Sequence, residues 1–149
     1  MRRLLNPFRV TSVLLLLYCL GHTLGALVST PRFGAASDGV AAAMQSVHFT
    51  LDGSNCSWFG FYLGFGYDVS IFFLFSAVLT WFLGGMSPAD QRRWSPITWA
   101  LFASYAATLV LAVRYFFPVP IVLSSLITAL LGIQSIRLAR TAPPAQPSP

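Results

Sequence analysis

Four stretches of this chain run almost free of charge, and each is long enough to cross a membrane. The first, VTSVLLLLYCLGHTLGALV, carries no charge beyond what His22 can take up. A helix needs about 20 apolar residues to traverse a hydrocarbon core of ~30 Å. On that criterion the pattern predicts spans at about 10–28, 58–83, 97–114 and 119–137. The breaks between them have local causes. Gly84-Gly85 ends the second run and Ser87-Pro88 opens the polar segment MSPADQRRWSP. Pro118 and Pro120 impose a tight reversal after the third, because proline disfavours helix at the residue before it.

The long connection between the first two runs contains SDGVAAAMQSVHFTL, in which Val40, Met44, Val47 and Leu51 recur at helical spacing. This predicts a short amphipathic helix capped by Ser37 or Asp38, serving as a lid over a site or simply as a cover for one end of the spans. The expected fold is therefore all-α: an integral membrane four-helix bundle, up-down-up-down, forming a single domain over residues 1–140. The tail TAPPAQPSP, residues 141–149, is proline-rich and is expected to be disordered.

Composition agrees with this pattern. Of 149 residues, 56% are hydrophobic and 9% charged, with a mean hydropathy of +0.70, outside the range of soluble domains. The positive charge is all arginine and the negative charge all aspartate. Arg2, Arg3, Arg9, Arg92, Arg93, Arg137 and Arg140 fall at one end of the predicted spans, and Arg32 and Arg114 at the other. By the positive-inside rule both termini are cytoplasmic. Arginines placed beside apolar runs are an orientation pattern, so no nucleic-acid partner is expected. The basic start MRRLLNPFR resembles the head of a signal peptide, but the apolar run that follows is longer than such segments carry.

Candidate chemistry is sparse. Asp68 is the one acid inside a predicted span, where a charge costs on the order of 2.5–3.5 kcal/mol at the bilayer centre and so needs a partner. His22 lies at a comparable distance from the matching end of the first span. Gly21 and Gly25 flank it as GHTLG, and Gly60 and Gly64 form GFYLG on the second span, with Asp68 continuing that row. GxxxG lets two helix backbones approach closely, so these faces are expected to meet and bring His22 to Asp68. Arg114 is the rival partner for the acid. Such a pair would fasten the spans together, or form a polar point for a lipid, isoprenoid or quinone-like ligand with Tyr18, Tyr62 and Tyr67 around it. A third use is proton transfer, in a small transporter or membrane enzyme centred on the same two residues. Ser104 and Thr108, and the row Ser124, Thr128 and Gly132, read as helix-packing positions. Two cysteines and two histidines supply no metal or haem ligand set, and no cofactor is expected.

At GHTLG and FYLGFGY the chain resembles a group of small four-span bacterial inner-membrane proteins with no assigned activity. The resemblance covers the first two spans and implies the topology without a mechanism. The absence of glutamate separates the chain from the glutathione-using membrane enzymes and the small multidrug exporters, and the absence of CxxC from the vitamin-K-type reductases. The expected function is a membrane component that binds lipid-like ligands or a membrane partner, with homo-oligomerisation one form of the latter.

Overall fold

The structure is a computed structural model and describes residues 6–28 and 33–140. Arg2, Arg3 and Arg32, which entered the charge pattern, and the tail 141–149 lie outside the described residues.

Among the described residues four helices are long and apolar enough to cross a membrane: Pro7–Val28, Trp58–Gly85, Ser95–Tyr115 and Pro118–Arg140. The first is composite. Helix α1 (Pro7–His22) begins where Asn6 can cap it: the Asn6 Oδ1 accepts from the Phe8 backbone N–H at 3.0 Å, and Pro7 occupies the first turn, where its missing N–H removes no bond. After His22 the winding loosens into a π-helical segment, Thr23–Val28. Helices α3 (Trp58–Gly85), α5 (Ser95–Tyr115) and α6 (Pro118–Arg140) are the other three spans. The short α4 (Pro88–Arg93) precedes α5. Ser87 caps α4, accepting from the Asp90 N–H at 3.2 Å while donating to the Asp90 carboxylate at 2.6 Å.

The long connection departs from expectation. Helix α2 spans Ala35–Ser46 with Gly34 at its N-cap, at a φ of 97°, and no side chain caps it, so neither Ser37 nor Asp38 has that role. Its C-cap, Val47, is extended, and Leu51 belongs to a strand. The four apolar positions therefore do not share one helical face, and no residue of α2 is buried. Strands β1 (His48–Leu51) and β2 (Ser54–Ser57) pair antiparallel, His48 opposite Ser57 and Leu51 opposite Ser54. Asp52 and Gly53 close the hairpin at φ of 48° and 79°. Two successive left-handed residues are what a type I′ turn requires, and Asp-Gly supplies them at least cost. The backbone of HFTL and SNCS is thus satisfied across the ladder, which is why the helix stops.

The contacts divide the chain into two compact units, residues 1–18 with 75–149, and residues 19–74. In the first, parts of α1 and α3 pack with α5 and α6 as a four-helix bundle around Phe8, Leu15, Leu83, Leu101, Tyr105, Ile127 and Leu131. Ser12 Oγ donates to the Ala77 carbonyl at 2.7 Å, and Asn6 Nδ2 to the Gly84 carbonyl at 3.1 Å, so α1 and α3 run antiparallel here. Gly84 permits the approach: a Cβ at that position would fall 2.9 Å from Arg9 Cγ and 3.3 Å from Phe8 Cβ. The Arg9 guanidinium stacks 4.4 Å above the Trp81 ring. Helices α5 and α6 are joined through Phe116 and Phe117 alone, so they too are antiparallel, and the Phe102 ring rests against Gly132. This core is rich in hydroxyls; Thr11, Ser12, Ser76, Thr80, Thr98, Ser124 and Ser135 are all buried in it. In a membrane such groups, with small residues, hold helices together where the hydrophobic effect does not.

Candidate functional site

The second unit holds the end of α1, the π-helical segment, α2, the hairpin and the first seventeen residues of α3. Its polar chemistry lies in one seam between the first span and α3. Cys19 Sγ donates to the Ser70 carbonyl at 3.3 Å. His22 Nε2 lies 3.0 Å from the Gly66 carbonyl oxygen, and Tyr62 O–H donates to the Ala26 carbonyl at 2.9 Å. As residue numbers rise on one helix they fall on the other, the mark of an antiparallel pair.

A carbonyl can only accept, so the bond to Gly66 requires a proton on Nε2 and leaves Nδ1 as the second site of the ring. The imidazole edge meets Phe73, with ring centroids 6.0 Å apart at 87°. Beside it, Thr23 Oγ1 lies 2.8 Å from both the Cys19 carbonyl and Ser70 Oγ, and Ser70 Oγ lies 3.3 Å from the Gly66 carbonyl. One hydroxyl proton serves one acceptor at a time, so Thr23 and Ser70 order their protons together. Leu27, in the π-helical segment, packs over Gly66: a Cβ there would meet Leu27 Cδ2.

The expected contact between His22 and Asp68 is not formed. His22 is committed to Gly66, and Asp68 is exposed, with no hydrogen bond or ion pair among the described residues. The reason is helical geometry. Two residues along a helix is a rotation of about 200°, so Asp68 projects from the side of α3 nearly opposite Gly66. Neither glycine row makes the seam, and Gly60-Gly64 shares the acid's side of α3. Gly21, Gly25 and Gly64 face open space, and a Cβ on Gly60 would meet only Ser57 Oγ, at 3.3 Å. The α3 row that does make the seam is Gly66, Ser70 and Phe73, and within the first unit the same row continues as Ala77, Thr80 and Gly84. Its spacing alternates between four and three, as in a heptad.

The remaining candidates are dispersed. Tyr18 is buried in the first unit, where its oxygen accepts from Ser124 Oγ at 3.4 Å. Tyr62 is exposed apart from its bond to Ala26, and Tyr67 is exposed. Arg114 is exposed on α5, beside an open hollow of about 530 Å³ lined by Leu109, Val110 and Val113. Of the packing rows on the last two spans, Gly132 and Ser124 are buried as expected, while Ser104 is exposed. Sequence reasoning missed the hairpin and the aromatic cluster that anchors it: Phe49 from β1 lies 5.0 Å from Trp58 and 5.9 Å from Phe61, which stacks on Phe65 at 6.0 Å. An open hollow of about 350 Å³ beside it is lined by His48, Asn55, Cys56, Ser57, Gly60 and Phe61. Among the described residues no group of three or more His, Cys, Asp or Glu is placed to hold a metal ion.

The place of Asp68 along α3 follows from the bounds of the helix. At ~1.5 Å per residue its 28 residues extend ~42 Å, more than a hydrocarbon core of ~30 Å. Asp68 lies ten residues after Trp58 and seventeen before Gly85, or ~15 Å and ~25 Å along the axis. Phe65, Tyr67, Val69 and Ile71, close to it in sequence on α3, are exposed as well.

Four such helices make this a polytopic membrane protein, in contact with lipid over their exposed faces. No family model, curated protein or solved structure matches the chain.

Proposed function

We propose that the protein is a partner-binding membrane component, and that the Gly60-Gly64-Asp68 side of α3 docks a transmembrane helix of a second copy or of another membrane protein. The observation that carries this reading is Asp68 itself, an acid exposed on an apolar helix surface and continuing the row of Gly60 and Gly64, the second of which faces open space. Ionisable groups at membrane depth are costly unless they find protein or water, and small residues beside them allow a backbone to approach. The His22 seam takes the other role, fastening the first span to α3. Its hydrogen bonds end on backbone carbonyls and hydroxyls, which suits cohesion better than proton transfer to Asp68.

The protein is assigned to a bacterial cytoplasmic membrane with both termini on the cytoplasmic side. Support comes from the arginines, with Arg9 stacked on Trp81 at the end of α3 where an interfacial aromatic is favoured. The resemblance at GHTLG and FYLGFGY to small four-span inner-membrane proteins points the same way. Replacing Asp68 with Asn or Leu, and following assembly in membranes and in mild detergent by native mass spectrometry, tests the proposal. Loss of a protein complex from folded variants supports docking; retained assembly with loss of a lipid-sized mass supports a lipid-like ligand at the same face instead.

A further inference from the structure

Serine and threonine in apolar helices ordinarily return their hydroxyl proton to the carbonyl four residues earlier. Thr11 does so to Pro7, Thr80 to Ser76, Thr108 to Ser104 and Ser125 to Ile121. Four hydroxyls in the four-helix unit, those of Ser76, Thr98, Thr128 and Ser135, are buried and make no hydrogen bond among the described residues. Two of them, Thr98 Oγ1 and Ser135 Oγ, belong to residues at 0% exposure on α5 and α6.

The contact between Phe102 and Gly132 relates them. Thr98 precedes Phe102 by four residues, and Ser135 follows Gly132 by three. On antiparallel helices both steps run the same way, ~6 Å and ~4.5 Å at ~1.5 Å per residue, so the two residues lie at nearly one level. Steps of three and four also keep each on the face its helix presents to the other. The two hydroxyls thus belong to one small region of the α5–α6 interface, and no direct bond joins them.

We infer that Thr98 and Ser135 are the protein ligands of an internal water molecule that bridges α5 and α6. A buried hydroxyl left without any partner costs about 1–3 kcal/mol, and internal waters settle where two or more such groups converge. Water matches this donor set, because a hydroxyl can both give and accept, and each helix retains free carbonyl lone pairs to complete the coordination. No charged side chain is required, which separates this site from one built for an ion.

The test compares the full-length protein with Thr98→Val, Ser135→Ala and the double variant. A bridging water predicts that each single change lowers the thermal midpoint in detergent by about 4 °C, the shift expected for roughly 1 kcal/mol in a chain of this size. It also predicts that the double variant loses little more than either single one, since the water is lost once. In the wild type, magnetisation transfer from water should reach the Thr98 and Ser135 signals, which answers the question even where a variant fails to fold. Unchanged or raised midpoints in the variants would overturn the inference, because removing an unsatisfied hydroxyl relieves a penalty. Absence of transfer from water in the wild type would overturn it equally.

Discussion

His22 Nε2 sits 3.0 Å from the backbone oxygen of Gly66, whereas Asp68, two residues further along the same helix, has no partner among the described residues. Little more than half a turn of α3 therefore separates the carbonyl that His22 bonds from an acid that faces outward. The two residues, expected as one site, are not in contact.

The first prediction follows from that division. His22→Ala removes the bond to Gly66 and the edge contact with Phe73, and should lower stability by about 1 kcal/mol, with His22→Gln recovering part of it through its amide N–H. Asp68→Asn should leave the stability of the isolated chain within about 0.5 kcal/mol, as substitutions at exposed positions do. Thermal unfolding in detergent distinguishes these outcomes; equal losses for both residues would mean that they act as a pair after all.

A second prediction concerns glycines. At Gly66 any side chain meets Leu27, so Gly66→Val should cost about 1–3 kcal/mol through overpacking, and Leu27→Ala in the same chain should restore part of the loss. Gly64 faces open space, so Gly64→Val should leave the monomer's midpoint unchanged while weakening assembly. A midpoint that falls more for Gly64→Val than for Gly66→Val would place the packing face of α3 where the GxxxG pattern had put it.

A third rests on the turn. Gly53 at φ 79° occupies left-handed backbone that a β-branched residue rarely adopts, so Gly53→Val should destabilise the hairpin by about 1–2 kcal/mol. The effect should stay local: faster amide exchange at Phe49 and Cys56, with exchange in α5 and α6 unaffected. Protection that persists at Phe49 would show that the aromatic cluster, and not the turn, holds the strands.

The spans were legible because hydropathy and length decide them, and their ends fall within a few residues of the apolar runs. Which face of each span turns inward was not, because a membrane helix is apolar all round and gives no amphipathic contrast to read. Small residues were the remaining signal, and α3 carries two competing rows of them, Gly60-Gly64 and Gly66-Ser70. Only the second pairs with residues of the right size on the first span, Leu27 and Thr23. The hairpin carried a direct signal in Asp52-Gly53, overridden by a run of apolar positions at helical spacing that continued past the end of α2. The hydroxyls without partners in the four-helix unit were out of reach of sequence, since most serines and threonines in such helices bond to their own backbone.

The central claim, that the Asp68 side of α3 docks another transmembrane helix, is tested most directly by site-specific photocrosslinking in native membranes. A photoreactive residue at position 64 should give a discrete protein adduct that disappears when Asp68 is changed to Leu. The same probe at Leu74, exposed on a different side of α3, should give lipid adducts alone. Lipid adducts alone from both positions, indifferent to the change at Asp68, would contradict the account and leave the acid as a residue of the membrane interface.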